Sequence, residues 1–161
     1  MSAAANRLMP VLLVLTLATL ALLAPLDHDE DQYFAAARLV SSGWPYRDWA
    51  YLQTPLFPFW GAAVTAPFGE YALTAGRLSQ ALLAALLLWI FVRTLRALDV
   101  PHRMAGWTTL ALACCTPLLF SATVFRNDML AAVLMTAGFG LIAARGRDPM
   151  RVTPRIAFAA G

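Results

Sequence analysis

Apolar runs of membrane-spanning length, divided by short charged stretches, constrain this chain more than any motif in it. Residues 8–26 carry no charge. At 1.5 Å per residue such a run suits one helix across a hydrocarbon layer of about 30 Å. Residues 71–92, 104–120 and 129–144 read the same way. The chain is 60% hydrophobic and 13% charged, with a mean hydropathy of +0.65, far from the balance of a soluble domain. A cleaved signal peptide is the rival reading of the first run. Pro25 directly after Ala24, with no clear small-x-small site before the acids, favours an uncleaved anchor.

Arginine placement then selects a topology. Residues 55–68 are apolar but short, with Pro55, Pro58 and Pro67, which marks a re-entrant or interfacial piece. If that piece crossed the membrane, Arg93, Arg96 and Arg103 would share a side with the acids of the preceding loop. If it does not, Arg7, Arg93, Arg96, Arg103, Arg145, Arg147, Arg151 and Arg155 all lie on the cytoplasmic side. The outer loop, 27–70, then keeps six acids against Arg38 and Arg47. The positive-inside rule selects this second arrangement. The expected fold is therefore an all-α integral membrane protein with about four transmembrane helices. Its long first extracytoplasmic loop carries surface and re-entrant helices. The expected location is the inner (plasma) membrane, multi-pass, with any active site extracytoplasmic. Residues 156–161 read as the opening of another apolar segment, so the chain is expected to be the N-terminal part of a longer protein.

Some function classes drop out. The net charge of +3 comes from arginines dispersed between apolar runs, which is no nucleic-acid footprint. Cys114 and Cys115 are adjacent, with no partner pair elsewhere. They define neither a disulfide framework nor a metal site, and buried, inert thiols are expected.

The outer loop holds the chemistry. Four of the five residues from Asp27 to Asp31 are acidic. Tyr33, Phe34, Ala37, Leu39 and Val40 form an apolar stripe at helical spacing over residues 30–42, with Asp29 at the N-cap position and Gly43 and Pro45 as the stop. This helix is too short to span and is expected on the membrane surface. Trp44, Tyr46, Trp49 and Tyr51 suit the headgroup region. By the topology above, Asp29, Glu30 and Asp128 share one outer water–lipid boundary. A carboxylate there can take a proton from an attacking hydroxyl, and a second can orient a metal or the acceptor. The alternative is structural: acids at helix N-termini cap orphan amides and complement the helix dipole. Arg77 and Arg126 have the fork geometry for a lipid phosphate, against snorkelling or a pairing of Arg126 with Asp128. His28 is a candidate ligand for a divalent metal beside Asp27 and Asp29, or simply a solvated side chain.

At these residues the chain resembles a known family. It is similar to the GT-C membrane glycosyltransferases of the protein O-mannosyltransferase and aminoarabinose transferase type, including the RgtA/B/C/D-like group. The resemblance rests on the uncleaved first helix followed by Asp29-Glu30, with Tyr33 three residues after Glu30. The stretch from Ala37 to Gly43, then Gly43-Trp44-Pro45-Tyr46-Arg47-Asp48 and a Pro-rich aromatic segment, continues it. Phe68-Gly69, Arg77-Leu78 and Arg126-Asn127-Asp128-Met129-Leu130 complete it. It covers nearly the whole chain through the order of its motifs, none of which is decisive alone.

The resemblance implies an enzyme that moves a sugar from a polyprenyl-phosphate donor to an acceptor hydroxyl on a lipid, glycan or protein of the cell envelope. It implies catalytic roles for Asp29, Glu30 and Asp128, with Asp29 the best match to the family's base. It implies substrate binding by Tyr33, Arg47, Arg77 and Arg126. It implies no definite cofactor, with a divalent metal as an option without assigned ligands. Where the aminoarabinose transferases carry Lys-Pro, this chain has Thr54-Pro55. The role of that lysine does not carry over, which favours the broader RgtA-like group. Two alternatives from other classes are a membrane transporter bundle, with Arg77 and Asp128 lining a path, and a non-catalytic membrane scaffold whose acids only cap helices.

Overall fold

The computed structural model describes the backbone of residues 3–145 and the side chains of residues 11–144. Among the described residues the chain is all-α, and the only pairing of extended backbone is an isolated bridge between Pro45 and Trp49. The α-helices are α1 (Ala3–Leu23), α2 (Glu30–Leu39), α3 (Leu56–Thr65), α4 (Ala72–Ala97), α5 (His102–Ala113), α6 (Thr116–Thr123) and α7 (Asp128–Arg145). Short 3₁₀ turns follow α2 (Val40–Ser42) and α3 (Ala66–Tyr71).

Helix α4 is the centre of the packing and touches α1, α3, α5, α6 and α7. It is apolar on every side beyond its first turns. Ala81, Ala84, Leu87 and Leu88 are buried, while Leu82, Leu86 and Trp89 are exposed. A helix apolar all round belongs either inside a large core or in a bilayer. The helical stretch Leu56–Ala97, 42 residues with a bend at Gly69 (φ 51°), is long and apolar enough to cross a membrane. The α5–α6 pair passes the same test when taken together, despite a bend of 62°. The described residues thus hold one candidate span, or two with that pair. The apolar described parts of α1 and α7 are shorter.

Among the described residues the seam between α4 and α7 is the most extensive, and its register follows from two close approaches. A Cβ on Gly76 would meet the Phe125 ring at 2.8 Å, and one on Gly140 would meet Thr94 Oγ1 at 2.6 Å. Early α4 therefore faces the start of α7 and late α4 faces late α7, so the two helices run parallel. Small residues let helix backbones approach closely where lipid supplies no hydrophobic drive. The C-terminal end of α1 lies at the N-terminal end of α4, where Arg77 reaches the carbonyl oxygens of Ala21 and Ala24, so these two run antiparallel. Phe125 is fully buried at this end, with the Phe57 ring centroid at 5.0 Å and the Phe34 ring edge-on at 6.4 Å.

Several expectations are corrected. The run 104–120 is two helices, because Pro117 lacks the amide that would bond Ala113 and its ring crowds that carbonyl. Proline fits only the first turn of a new helix, and Cys115, extended at ψ 137°, begins one. Cys114 is consequently exposed and Cys115 half-buried at the break, both as free thiols, not deep in a packed helix. Helix α2 buries Tyr33, Ala36 and Ala37 beneath α3 and beside Phe125, so its apolar side faces protein and not a bilayer surface. The segment 55–68 forms α3 and the turn after it. Arg93 and Arg96 end α4, about 24–28 Å along the axis from Arg77 at 1.5 Å per residue. The side chains of Arg7 and Arg145, together with Arg147, Arg151, Arg155 and the segment 156–161, lie outside the described residues.

Candidate functional site

Both acid-bearing segments arrive at the same end of the bundle, where α1 ends, α2 and α4 begin, and α6 hands over to α7. The entry to α2 is a reciprocal turn of the capping-box kind. The Asp27 carboxylate accepts from the Asp29 amide at 3.0 Å, and Glu30 Oε2 accepts from the Asp27 amide at 3.0 Å. Asp29 precedes the first helical residue, as expected, but its side chain makes no capping bond. Asp27 instead accepts from the amide of Asp29 itself, and the Asp29 carboxylate points to Arg126. The Asp-x-x-Glu spacing of Asp27 and Glu30 was a readable signal for this turn.

Two arginine centres result. In the first, Glu30 is 0% exposed and Arg77 is 7% exposed. Arg77 donates through Nε to Glu30 Oε1 at 2.9 Å and through Nη2 to Oε2 at 2.5 Å. Its remaining donors reach the carbonyls of Ala24 at 2.7 Å and Pro25 at 2.8 Å. Glu30 Oε1 also accepts from the Phe125 amide at 2.7 Å. Burial alone would raise the Glu30 pKa, but the Arg77 guanidinium and the amides of Asp27 and Phe125 outweigh it and hold the carboxyl below its usual range. Each carboxylate oxygen thus takes two bonds and none faces water. The expected catalytic role of Glu30 and phosphate-binding role of Arg77 are therefore corrected. The pair is a latch joining α1, α2, α4 and the start of α7, and neither group has a free position for a substrate.

The second centre is Arg126, half-buried between α6 and α7. Its Nη1 lies 2.9 Å from Asp29 Oδ2 and 3.7 Å from Asp27 Oδ1, and its Nε lies 3.1 Å from Asp128 Oδ2. The guanidinium carbon stands 5.6 Å from the Phe120 ring centroid and 6.0 Å from that of Tyr33. Asp29 and Asp128, distant in sequence, thus share one guanidinium. Their side chains are 43% and 46% exposed. Three carboxylates against one guanidinium leave this surface negative, so it suits a neutral or cationic group better than a free anion.

The other candidates divide. Tyr33 is buried beside Arg126 with its ring edge against Phe57 at 5.3 Å. Burial raises its pKa, Arg126 lowers it, and Asp128 and Asp29 raise it, with a net rise that keeps the hydroxyl protonated. Arg47 is not brought to this centre. It is exposed and bonded to its neighbour Asp48, through Nη2 at 2.8 Å. His28 is exposed, and among the described residues no three His, Cys, Asp or Glu side chains are grouped to hold a metal ion. The acids sit around a guanidinium, not around a shared vacancy, so they do not fit a resident metal ion.

A cleft of about 160 Å³ opens beside the acids between the end of α1 and α6. It is lined by Ala24, Pro25, Leu26, Phe120, Thr123 and Val124, with Asp27 as its charged member. Phe120 therefore has one ring shared between an apolar cleft and the Arg126 guanidinium. Comparison of the chain with family models, with curated proteins and with solved structures finds no match.

Proposed function

We propose that this is a multi-pass membrane glycosyltransferase of the GT-C kind, with four spans and its acid-bearing end on the outer face of the plasma membrane. It takes a sugar from a polyprenyl-phosphate donor to an acceptor hydroxyl. The observation that carries the reading is the meeting of Asp29 and Asp128 on Arg126 at a half-exposed end of an apolar bundle. The segregation of Arg93, Arg96 and Arg103 toward the opposite helix ends supports the orientation. The adjoining apolar cleft suits an approach by a lipid-borne donor.

In this mechanism the acceptor hydroxyl oxygen attacks the anomeric carbon of the donor sugar. A new carbon–oxygen bond forms, and the bond to the phosphate oxygen breaks with its electron pair leaving on the phosphate, inverting the carbon. The hydroxyl proton passes to Asp29. Asp29 uses Oδ2 for Arg126, so Oδ1 is the oxygen available as base. Asp128 and Asp29 are held together by the Arg126 guanidinium, which fixes where Asp29 presents its free oxygen to the acceptor. Tyr33 borders the same guanidinium and limits where the sugar can sit.

The test is sugar transfer from a synthetic polyprenyl-phosphate hexose by the protein in proteoliposomes. Asp29→Asn and Asp128→Asn are expected to lower transfer by roughly 10²–10⁴-fold with membrane insertion unchanged. Unchanged transfer in both variants removes these acids from the chemistry and leaves a scaffold. Sugar flux across the liposome without transfer selects a transporter. The orientation has its own check. His28→Cys and Asn127→Cys, in a background lacking Cys114 and Cys115, should both label from the outer side.

A further inference from the structure

Among the described residues, the polar side-chain atoms buried without a partner include the Tyr51 hydroxyl, in the outer loop, and the side-chain oxygen of Asn127, the residue after Arg126. Tyr51 is only 6% exposed. Its ring lies 5.7 Å from that of Trp49 and 6.4 Å from that of Tyr46. Asn127 sits immediately before α7, where its backbone carbonyl accepts from the Ala131 amide, and it donates its side-chain nitrogen to Gln53 Oε1 at 3.2 Å. The Tyr46 hydroxyl donates to the backbone carbonyl of the same Gln53. The segment 44–53 is thereby tied over the start of α7.

Folded proteins rarely leave such atoms unpaired, and each case calls for a physical account. Here the two atoms are complementary, since one is an O–H without an acceptor and the other an oxygen without a donor. Burial, with the neighbouring Tyr33 and Tyr46 hydroxyls, pushes the Tyr51 pKa up, so the group stays a donor. A carboxylate or phosphate only accepts, and the three acids around Arg126 repel it. An ammonium only donates, which leaves Tyr51 unanswered. A neutral hydroxyl both accepts and donates.

We propose that Tyr51 and Asn127 form a carbohydrate-recognition recess, in which sugar hydroxyls accept from Tyr51 and donate to Asn127, fixing which sugar is held beside Asp29. The proposal deepens the glycosyltransferase reading and rests on it for the choice of carbohydrate. The segment 44–53 lifts to admit the sugar, and its tie through Gln53 is remade once the recess is filled. Tyr51 and Asn127 are then specificity residues, and the reacting atoms belong to the donor, the acceptor and Asp29.

The experiment is saturation-transfer NMR with the protein in nanodiscs, using a panel of methyl hexopyranosides and their monodeoxy analogues as probes. At least one glycoside should bind. Tyr51→Phe and Asn127→Ala should each weaken it tenfold or more, and one monodeoxy analogue should bind the parent protein and the Tyr51→Phe protein alike. Without sugar, Tyr51→Phe should keep or raise the thermal midpoint, because it deletes a hydroxyl that nothing satisfies. That combination is foreign to a merely structural tyrosine. No glycoside binding, or equal affinity in parent and Tyr51→Phe proteins, overturns the recess and assigns both atoms to ordered water. If that happens while Asp29→Asn abolishes transfer, the enzyme reading stands alone. If Tyr51→Phe loses glycoside binding while Asp29→Asn and Asp128→Asn transfer normally, the recess stands and the catalytic assignment falls.

Discussion

The two arginine centres begin from the same four residues, Asp27-His28-Asp29-Glu30, and come to opposite ends. Glu30 turns inward to Arg77, where one carboxylate meets one guanidinium and every remaining lone pair or donor finds an amide or a carbonyl. Asp29 turns outward to Arg126, where three carboxylates share one guanidinium at a half-exposed surface. The lesson concerns stoichiometry and burial. A matched, dry ion pair is committed to holding helices together, whereas a mismatched, half-exposed one leaves carboxylate lone pairs facing solvent. Two carboxylates on consecutive residues are sorted by what the rest of the chain brings to them.

Breaking the matched centre should have the largest effect. Arg77→Ala or Glu30→Ala leaves a buried charge unpaired and is expected to cost about 3–5 kcal/mol of stability, read by thermal unfolding in detergent. Little change in either variant would mean the latch is not a structural element. Acid should act on the same pair next. The folded-state pKa of Glu30 is lowered, so its contribution is complete above the ordinary glutamate value of about 4.3 and is lost as pH falls through the lowered value. A fall in thermal midpoint below that range, absent from a Glu30→Gln protein, is the expected signature.

The mismatched centre should respond in the opposite way. Asp29→Asn and Asp128→Asn are expected to change stability by no more than about 1 kcal/mol, since their ion pairs are half-exposed, even as they lower the proposed transfer. A large stability loss in both would make them structural and erase the contrast. The smallest effect is that of salt. Raising ionic strength from about 0.1 M to about 1 M shortens the screening length from about 10 Å to about 3 Å. That change should loosen the Arg126 contacts, visible as faster exchange of the guanidinium protons by NMR, and leave Arg77 untouched.

Much of the frame is legible in the sequence. The helical content follows from the apolar runs, and the gathering of Asp29 and Asp128 at one end was expected from the arginine distribution. The pairing of Arg126 with Asp128 was among the readings offered, but the other partners escaped. Arg77 looked like a phosphate ligand because nothing local reveals that Glu30, 47 positions earlier, folds against it. The backbone amide of Phe125 and the orphan oxygens of Tyr51 and Asn127 carry no sequence signature at all. The break at Cys114–Cys115 was readable from Pro117, but the hydropathy of residues 104–120 masked it.

By itself the sequence determined where apolar helix is affordable and which ends of those helices carry charge, because burial energy and backbone hydrogen bonding are properties of short stretches. Only the tertiary structure decided that Glu30 is a latch and Asp29 an open carboxylate. That choice depends on desolvation and on the count of donors converging from α1, α4 and the start of α7, and both are set by helix packing across the whole chain.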